Sequence, residues 1–309
     1  MPLSDTGQLL ESVKEADLRR WVERLSILRH GQMNPEALEE TGRIIEAHFE
    51  SLGIPHERDP FEYRGRPFFN VVATLPGREE DLPPYLAGAH YDAAIGSPGA
   101  DDNASAAAAM LVAAAVLSRA RPRRTIRFAG FSIEEPQDAA DRACRHGSRH
   151  FARRALFRWE RYAGVFILES LGYTDDAPGS QRLPVRLPVP IPDAGTFLAV
   201  VGNRRAKKII RTFEAAAKAH EPGLEVVAHR FPCNGLLVPA TRMSDHAPFW
   251  DCGYPAVMLT DTAFLRNPNY HRETDLPETL DYGFLTRVTR ALVAALAEGC
   301  GVEKRMGIR

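Results

Sequence analysis

Short apolar runs bounded by proline and glycine, and separated by longer amphipathic stretches, set the tightest limit on what this chain can fold into. Phe68–Leu75 and Tyr85–His90 are such runs, and Thr125–Ser132, Ala163–Glu169, Phe197–Gly202, Leu224–Arg230 and Ala256–Thr260 continue the series. Runs this short, rich in apolar residues, read as strands buried in a covered sheet. Helical patterns lie between them at Ala104–Arg119, Ser148–Trp159 and Lys207–His220. A closing helix at Tyr282–Glu298 places Phe284, Leu285, Val288, Leu292 and Leu296 on one face. Before the first strand, two amphipathic helices are expected at Gly7–Leu28 and Asn34–Leu52, the second closed by Gly53 and Pro55. Strands alternating with helices predict an α/β fold, with a mixed, mainly parallel central sheet flanked by helices on both faces. No linker divides the 309 residues, so a single domain over 1–309 is expected, with 1–55 packed on it as N-terminal helices. Thr174–Pro192 breaks the rhythm. Its prolines, with Asp175, Asp176, Gly179 and Ser180, mark a long loop of the kind that often carries function.

Charge is nearly balanced, at 39 basic against 40 acidic side chains, which gives no global pull toward nucleic acid or anionic lipid. Arginine is dense in Arg119–Arg127 and Arg142–Arg161, but acidic and apolar residues interrupt both runs, as on a solvated helix face. The opening Met1–Thr6 has no basic stretch leading into an apolar one, and the longest apolar run, Ala106–Leu117, is too short and too alanine-rich to span a bilayer. The four cysteines, Cys144, Cys233, Cys252 and Cys300, have no CxxC spacing, which argues against a disulfide framework or a thiolate metal site. A reducing, cytoplasmic setting is expected, with neither nucleic acid nor membrane as partner.

The chemistry sits at the ends of the expected strands, where open α/β sheets bind ligands. Tyr85–His90 leads into His90-Tyr91-Asp92, Thr125–Ser132 into Glu134-Glu135, and Gly164–Leu168 into Glu169, while His271 follows the last strand. Pro98-Gly99-Ala100-Asp101-Asp102-Asn103 opens a helix. Each piece alone has a plain structural reading: a His–carboxylate pair, a helix cap, a solvated acidic pair. Adjacent carboxylates ending an apolar strand are costly without a cation, however, and oxygen and imidazole ligands from separate strand ends suit a hard or borderline divalent ion. The order and spacing together point to a metal centre.

His90-Tyr91-Asp92, Pro98–Ser105, Glu134-Glu135, Ser244-Asp245-His246 and Tyr270-His271 resemble the motifs of the two-zinc aminopeptidase family, in that family's order. The resemblance runs from about residue 68 to the closing helix. It implies a zinc-dependent exopeptidase with two divalent metal ions, expected to be Zn2+. Asp101 would bridge the ions, His90 and Glu169 would complete one site, and Glu135 and His271 the other. Asp92 would hold the His90 ring through its remaining N–H, and Glu134 would be the general base. Two divalent ions about 3.5–4 Å apart can polarise a scissile carbonyl and activate water. Ser244–Trp250 resembles a loop near the substrate pocket, so Asp245 or His246 is expected to support the site and Phe249 or Trp250 to wall the pocket.

Three departures from the family pattern stand out: Glu169 replaces the usual Asp, Pro136–His146 intervenes before Gly147-Ser148-Arg149-His150, and Ala106 stands where Gly is common. Leu168–Tyr173 with Gly179-Ser180-Gln181 is similar to a bacterial subset of the family. Aminopeptidase activity is the favoured reading. A glutaminyl-peptide cyclase, which transfers an aminoacyl group intramolecularly, shares the fold and the intervening segment, but Pro136–His146 has no aromatic residue to line a cyclase pocket. A metal-free binding protein on the same fold would be expected to have lost ligands.

Overall fold

Alternate side chains on the central strands enter two different cores, and that period of two sorts the chain into layers. The computed structural model describes residues 5–141, 143–183 and 190–304. The reading of Met1–Ser4, Arg142 and the middle of the Thr174–Pro192 loop lies outside the described residues. Eight strands form the main sheet in the order β1-β2-β5-β3-β6-β9-β7-β8. They are β1 (His56–Tyr63), β2 (Arg66–Leu75), β3 (Tyr85–His90), β5 (Ile126–Phe131), β6 (Gly164–Glu169), β7 (Leu198–Asn203), β8 (Val226–Phe231) and β9 (Ala256–Thr260). The central four, β5, β3, β6 and β9, run parallel, and antiparallel pairs join β1 to β2, β2 to β5 and β7 to β9. A small ribbon pairs β4 (Ala120–Pro122) with β10 (Val302–Lys304).

On one face, Tyr85, Ala87, Phe166 and Leu168 join a core shared with α2 (Glu15–Leu25), α3 (Pro35–Ser51), α4 (Ala106–Leu117), α6 (Lys207–His220) and α8 (Tyr282–Cys300). On the other face, Leu86, Val165 and Ile167 meet α5 (His146–Phe157) and α7 (His246–Asp251) through Phe151, Phe249 and Trp250. Helix α4 is apolar on every side because it lies between β3 and the helices α2 and α8. The span Ala100–Leu117 is long and apolar enough to cross a bilayer, but 94% of it is buried in the fold, as a core helix is.

Two local expectations need correction. The helix read over Gly7–Leu28 is α1 (Asp5–Glu11) followed by α2, because Val13 drops into the core between them and turns the chain. Helix α2 stops at Leu25, after which Ser26 turns its hydroxyl back to the Val22 carbonyl and Ile27–Arg29 leaves the helix. Strand β1 was not foreseen, since HERDPFEY has no apolar run; Pro60 is tolerated because β1 is an edge strand. Its one fully buried acid, Asp59, accepts from Asn70 and pairs with Arg154 and His150.

Phe166 is fully buried, stacks on Tyr85 at 6.1 Å and meets Phe213 of α6 at 6.2 Å. Replacing it with alanine is expected to lower stability by about 3–5 kcal/mol, read as a reduced urea midpoint at unchanged slope.

Candidate metal centre

Strands β3, β5 and β6 end together at one edge, and each delivers its last polar residues into the same space. His90 ends β3, Glu134 and Glu135 follow β5, and Glu169 ends β6. Asp102 arrives from the turn before α4, where its φ of −107° and ψ of 87° depart from helical geometry. His271 comes from the loop after β9 with a φ of 59°. Left-handed backbone also occurs at Ile133, just before the glutamate pair, and at Ser170, just after Glu169. Non-glycine residues are held there at a cost of about 1–3 kcal/mol each, a pattern common where a site must be aimed.

The two oxygens of Asp102 face different imidazoles. Oδ1 lies 3.2 Å from His90 Nε2, and Oδ2 lies 3.1 Å from His271 Nε2. Glu169 Oε1 is 3.5 Å from His90 Nε2, and Glu135 Oε1 is 3.1 Å from His271 Nε2. His90, Asp102 and Glu169 therefore form one set of potential ligands, and Asp102, Glu135 and His271 form a second. Glu134 lies beside them, within ligand distance of His90 and Glu135. His90 Nε2, Asp102 Oδ1 and Glu135 Oε1 are buried and have no hydrogen-bond partner of acceptable geometry. Buried polar atoms are rarely left that way, and a divalent cation in each set would satisfy them with the oxygen and imidazole donors it prefers. The residues present fit two such ions.

The bridging position needs correction. Asp101, expected between the ions, turns away: its carboxylate accepts from the Gly172 amide at 2.8 Å and from Asn267 Nδ2 at 2.7 Å. Burial and the neighbouring Asp261 raise its pKa well above the usual carboxylate value. Adjacent residues in a non-helical turn point in different directions, so the turn and not the residue type decides which Asp faces the cluster. Asp275 fixes that turn, accepting from the backbone amides of both Asp101 and Asp102.

Asp92 lies 3.3 Å from His90 Nδ1 and accepts from the Glu134 and Glu135 amides, both at 3.0 Å. One carboxylate thus links the His90 ring to the glutamate pair. Ser244, in the motif but given no role from sequence, donates to Glu169 Oε2 at 2.6 Å and so orients that longer side chain. Asp245 is fully buried and is pushed up to about 6 by burial, and its negative charge adds to the rise at Glu134. His246 donates from Nε2 to the Thr241 carbonyl at 2.7 Å, and burial holds it down to about 3, so it is neutral. Phe249 and Trp250 do not wall a pocket. Both are fully buried in the core under α7, with Trp250 Nε1 donating to the Ala256 carbonyl. A motif's apolar residues look the same in sequence whether they face a cleft or a core.

The apolar wall lies elsewhere. A cavity of about 110 Å³ adjoins Glu169 and Tyr270 and is lined by Ile191, Phe197, Val227, Phe231, Met258 and Phe264, among others. Part of the Thr174–Pro192 loop contributes, through Gln181 and Leu183. Arg266 anchors the loop's base, donating to Gln181 Oε1 and the Phe197 carbonyl. Arg266 carried no signal in sequence, and Tyr270, whose ring stacks on His271 at 3.8 Å, stood in the Tyr270-His271 motif without a role.

A profile of peptidase family M28 matches residues 70–296. This chain belongs to that family. The M28 chain is 33% identical over 273 residues to the uncharacterized protein YfbL of Escherichia coli (strain K12), covering 85% of this chain and 81% of that one. It is 27% identical to a probable zinc metalloprotease of Leptosphaeria maculans, over 81% of this chain and 62% of the relative. Its fold is similar to that of the Legionella pneumophila aminopeptidase LapA, with a TM-score of 0.74, 18% identity and coverage of 98% and 75%. It is also similar to a glutaminyl cyclase of Fimbriiglobus ruber, with a TM-score of 0.71, 19% identity and coverage of 92% and 95%.

Electrostatics give the M28 chain's site a definite pH response. Burial, then Asp102, pushes Glu135 up to about 7, and burial likewise lifts Glu169 to about 7. Burial opposes charge on both histidines, but the carboxylates outweigh it, raising His90 well above its ordinary value and His271 to about 11. These groups hold protons that a cation must displace. The apparent affinity for Zn2+, measured by chelator competition, is therefore expected to fall steadily from about pH 8 to about pH 5; an unchanged affinity over that range would assign binding to other groups. In the same assay Asp102→Asn should weaken binding by at least about tenfold, because Asp102 belongs to both candidate ligand sets, while Asp101→Asn retains most of it. The reverse ranking would restore Asp101 to the bridge.

Proposed function

We propose that this protein is an aminopeptidase that uses two Zn2+ ions to remove an apolar N-terminal residue from a peptide. The observation that carries this reading is the pair of ligand sets sharing Asp102, with a free carboxylate, Glu134, beside them. Membership of a peptidase family supports hydrolysis, and the zinc metalloprotease and aminopeptidase names of similar proteins support the metal and the reaction.

His90, Asp102 and Glu169 would hold one ion, and Asp102, Glu135 and His271 the other. When bound, the ions supply Lewis acidity that polarises a carbonyl and makes water nucleophilic near neutral pH. Glu134 is then placed to accept the water proton, since its backbone amide is tied to Asp92 and its side chain lies beside the ligand cluster. Burial, with Glu135, Asp245 and Glu169 nearby, raises its affinity for a proton. It passes that proton to the amine nitrogen as the peptide C–N bond breaks. Tyr270 keeps its phenolic proton, because burial and the surrounding carboxylates raise its pKa, and so remains a donor at the edge of the site. The free α-amine of the substrate is a cation suited to the acidic rim, Glu169 included. The leading side chain would enter the cavity lined by Phe197, Phe231 and Met258.

Glu134→Gln is expected to retain both ions by metal analysis and to lose about 100- to 10,000-fold in kcat. On a peptide panel, Leu- and Phe-leading substrates should release free N-terminal amino acids faster than Asp- or Lys-leading ones. Ammonia from Gln-leading peptides without chain cleavage would replace this reading with the cyclase. Release of C-terminal residues would replace it with a carboxypeptidase.

A further inference from the structure

Two loops have to meet for the metal centre to exist. One, residues 91–99, runs from His90 to the turn bearing Asp102; the other, residues 133–137, carries Glu134 and Glu135. Between them sits a piece of the N-terminal region, the connection from α2 to α3. Arg29, 1% exposed, donates from Nε to the Tyr91 carbonyl at 2.9 Å, from Nη2 to the Gly99 carbonyl at 2.9 Å and from Nη1 to the Pro98 carbonyl. Its guanidinium therefore grips both ends of the first loop. His30, also 1% exposed, donates from Nε2 to the Pro136 carbonyl at 3.1 Å, and its Nδ1 accepts from the Met33 amide. A Cβ at Gly31 would collide with Ile133 and Gln137, so the backbone itself packs against the second loop. Carbonyl oxygens, not carboxylates, take up the Arg29 donors, while its charge is felt by Asp92, Asp275, Asp102 and Glu135.

We infer that Arg29-His30-Gly31 is a clasp that sets the distance between the Asp102 loop and the Glu135 loop, with Arg29 as the positioning residue for metal binding. Asp102 and Glu135 reach the same imidazole, His271, from different loops, so a shift between the loops spoils one ligand set directly. Lysine cannot replace this arginine, since a single ammonium cannot reach carbonyls at both ends of the loop as a planar fork does. The inference rests on the metal-centre reading.

The test compares Zn2+ affinity by chelator competition, and thermal midpoints, for wild type, Arg29→Lys, Arg29→Met, Leu18→Ala and Asp102→Asn. Leu18 is an apolar, fully buried residue of α2, so its variant loosens the N-terminal helices without removing a hydrogen bond of the clasp. Arg29→Lys and Arg29→Met are expected to bind Zn2+ about 10- to 100-fold more weakly, with kcat falling more than KM rises. Leu18→Ala should lose thermal stability yet keep wild-type affinity. Wild-type affinity in either Arg29 variant overturns the inference. So does equal loss in Leu18→Ala, and so does failure of both Arg29 variants to fold, which would make Arg29 purely architectural. If Asp102→Asn binds Zn2+ like wild type, the metal-centre reading itself falls.

Discussion

Like charges buried side by side repel strongly unless something positive lies among them, and that constraint organises this structure. Asp92, Asp102, Glu134, Glu135, Glu169 and Asp245 are all buried at one edge of the sheet, with only His90 and His271 in the immediate cluster to offset them. The strain shows as carboxyl groups raised to about 7 at Glu135 and Glu169 and an imidazole raised to about 11 at His271. Two divalent cations would remove the conflict, because they would replace protons with charge and give the orphaned buried atoms partners.

Around that cluster a ring of outer hydrogen bonds sets orientation. Asp92 takes two backbone amides and steadies His90; Ser244 holds Glu169; Asp275 holds the turn of Asp101 and Asp102. Oriented outer groups of this kind fix tautomer and reach, and so tune how tightly the inner residues bind. Glu169 illustrates why that matters. Its extra methylene relative to Asp gives it freedom that the Ser244 hydroxyl removes at 2.6 Å.

The site also divides cleanly by polarity. Carboxylates and the His90 imidazole occupy the ends of β3, β5 and β6, whereas the cavity beside Glu169 and Tyr270 draws on β7, β8 and β9 and is walled by apolar side chains. The antiparallel step from β9 to β7 contributes, since it sets the start of β7, at Ala199, beside Thr260 at the carboxyl end of β9. The ligand-type side chains and the apolar cavity thereby occupy separate halves of one sheet.

Much of this was legible in the residues alone, for identifiable reasons. Buried strands announce themselves by unbroken apolar runs, so β3 and β9 were expected at their observed limits and the acids and histidine ending β3, β5 and β6 could be picked out as neighbours. Strand β1 was missed because an edge strand can be polar, and α1 was merged with α2 because the apolar spacing of Leu10, Val13, Leu18 and Trp21 runs on through the break. Which of Asp101 and Asp102 faces the cluster depends on backbone angles that no residue type specifies there. Phe249 and Trp250 are apolar in either setting, so only packing could assign them to the core. Arg29 binds a carbonyl 62 residues away and shares no local pattern with it. The sequence by itself determined the periodicity of the elements and the supply of ligand-type side chains at strand ends, because both are properties of short stretches. Tertiary structure alone decided which carboxylate lies between the two imidazoles, where the apolar cavity opens and what clasps the loops, because those depend on directions set by segments distant along the chain.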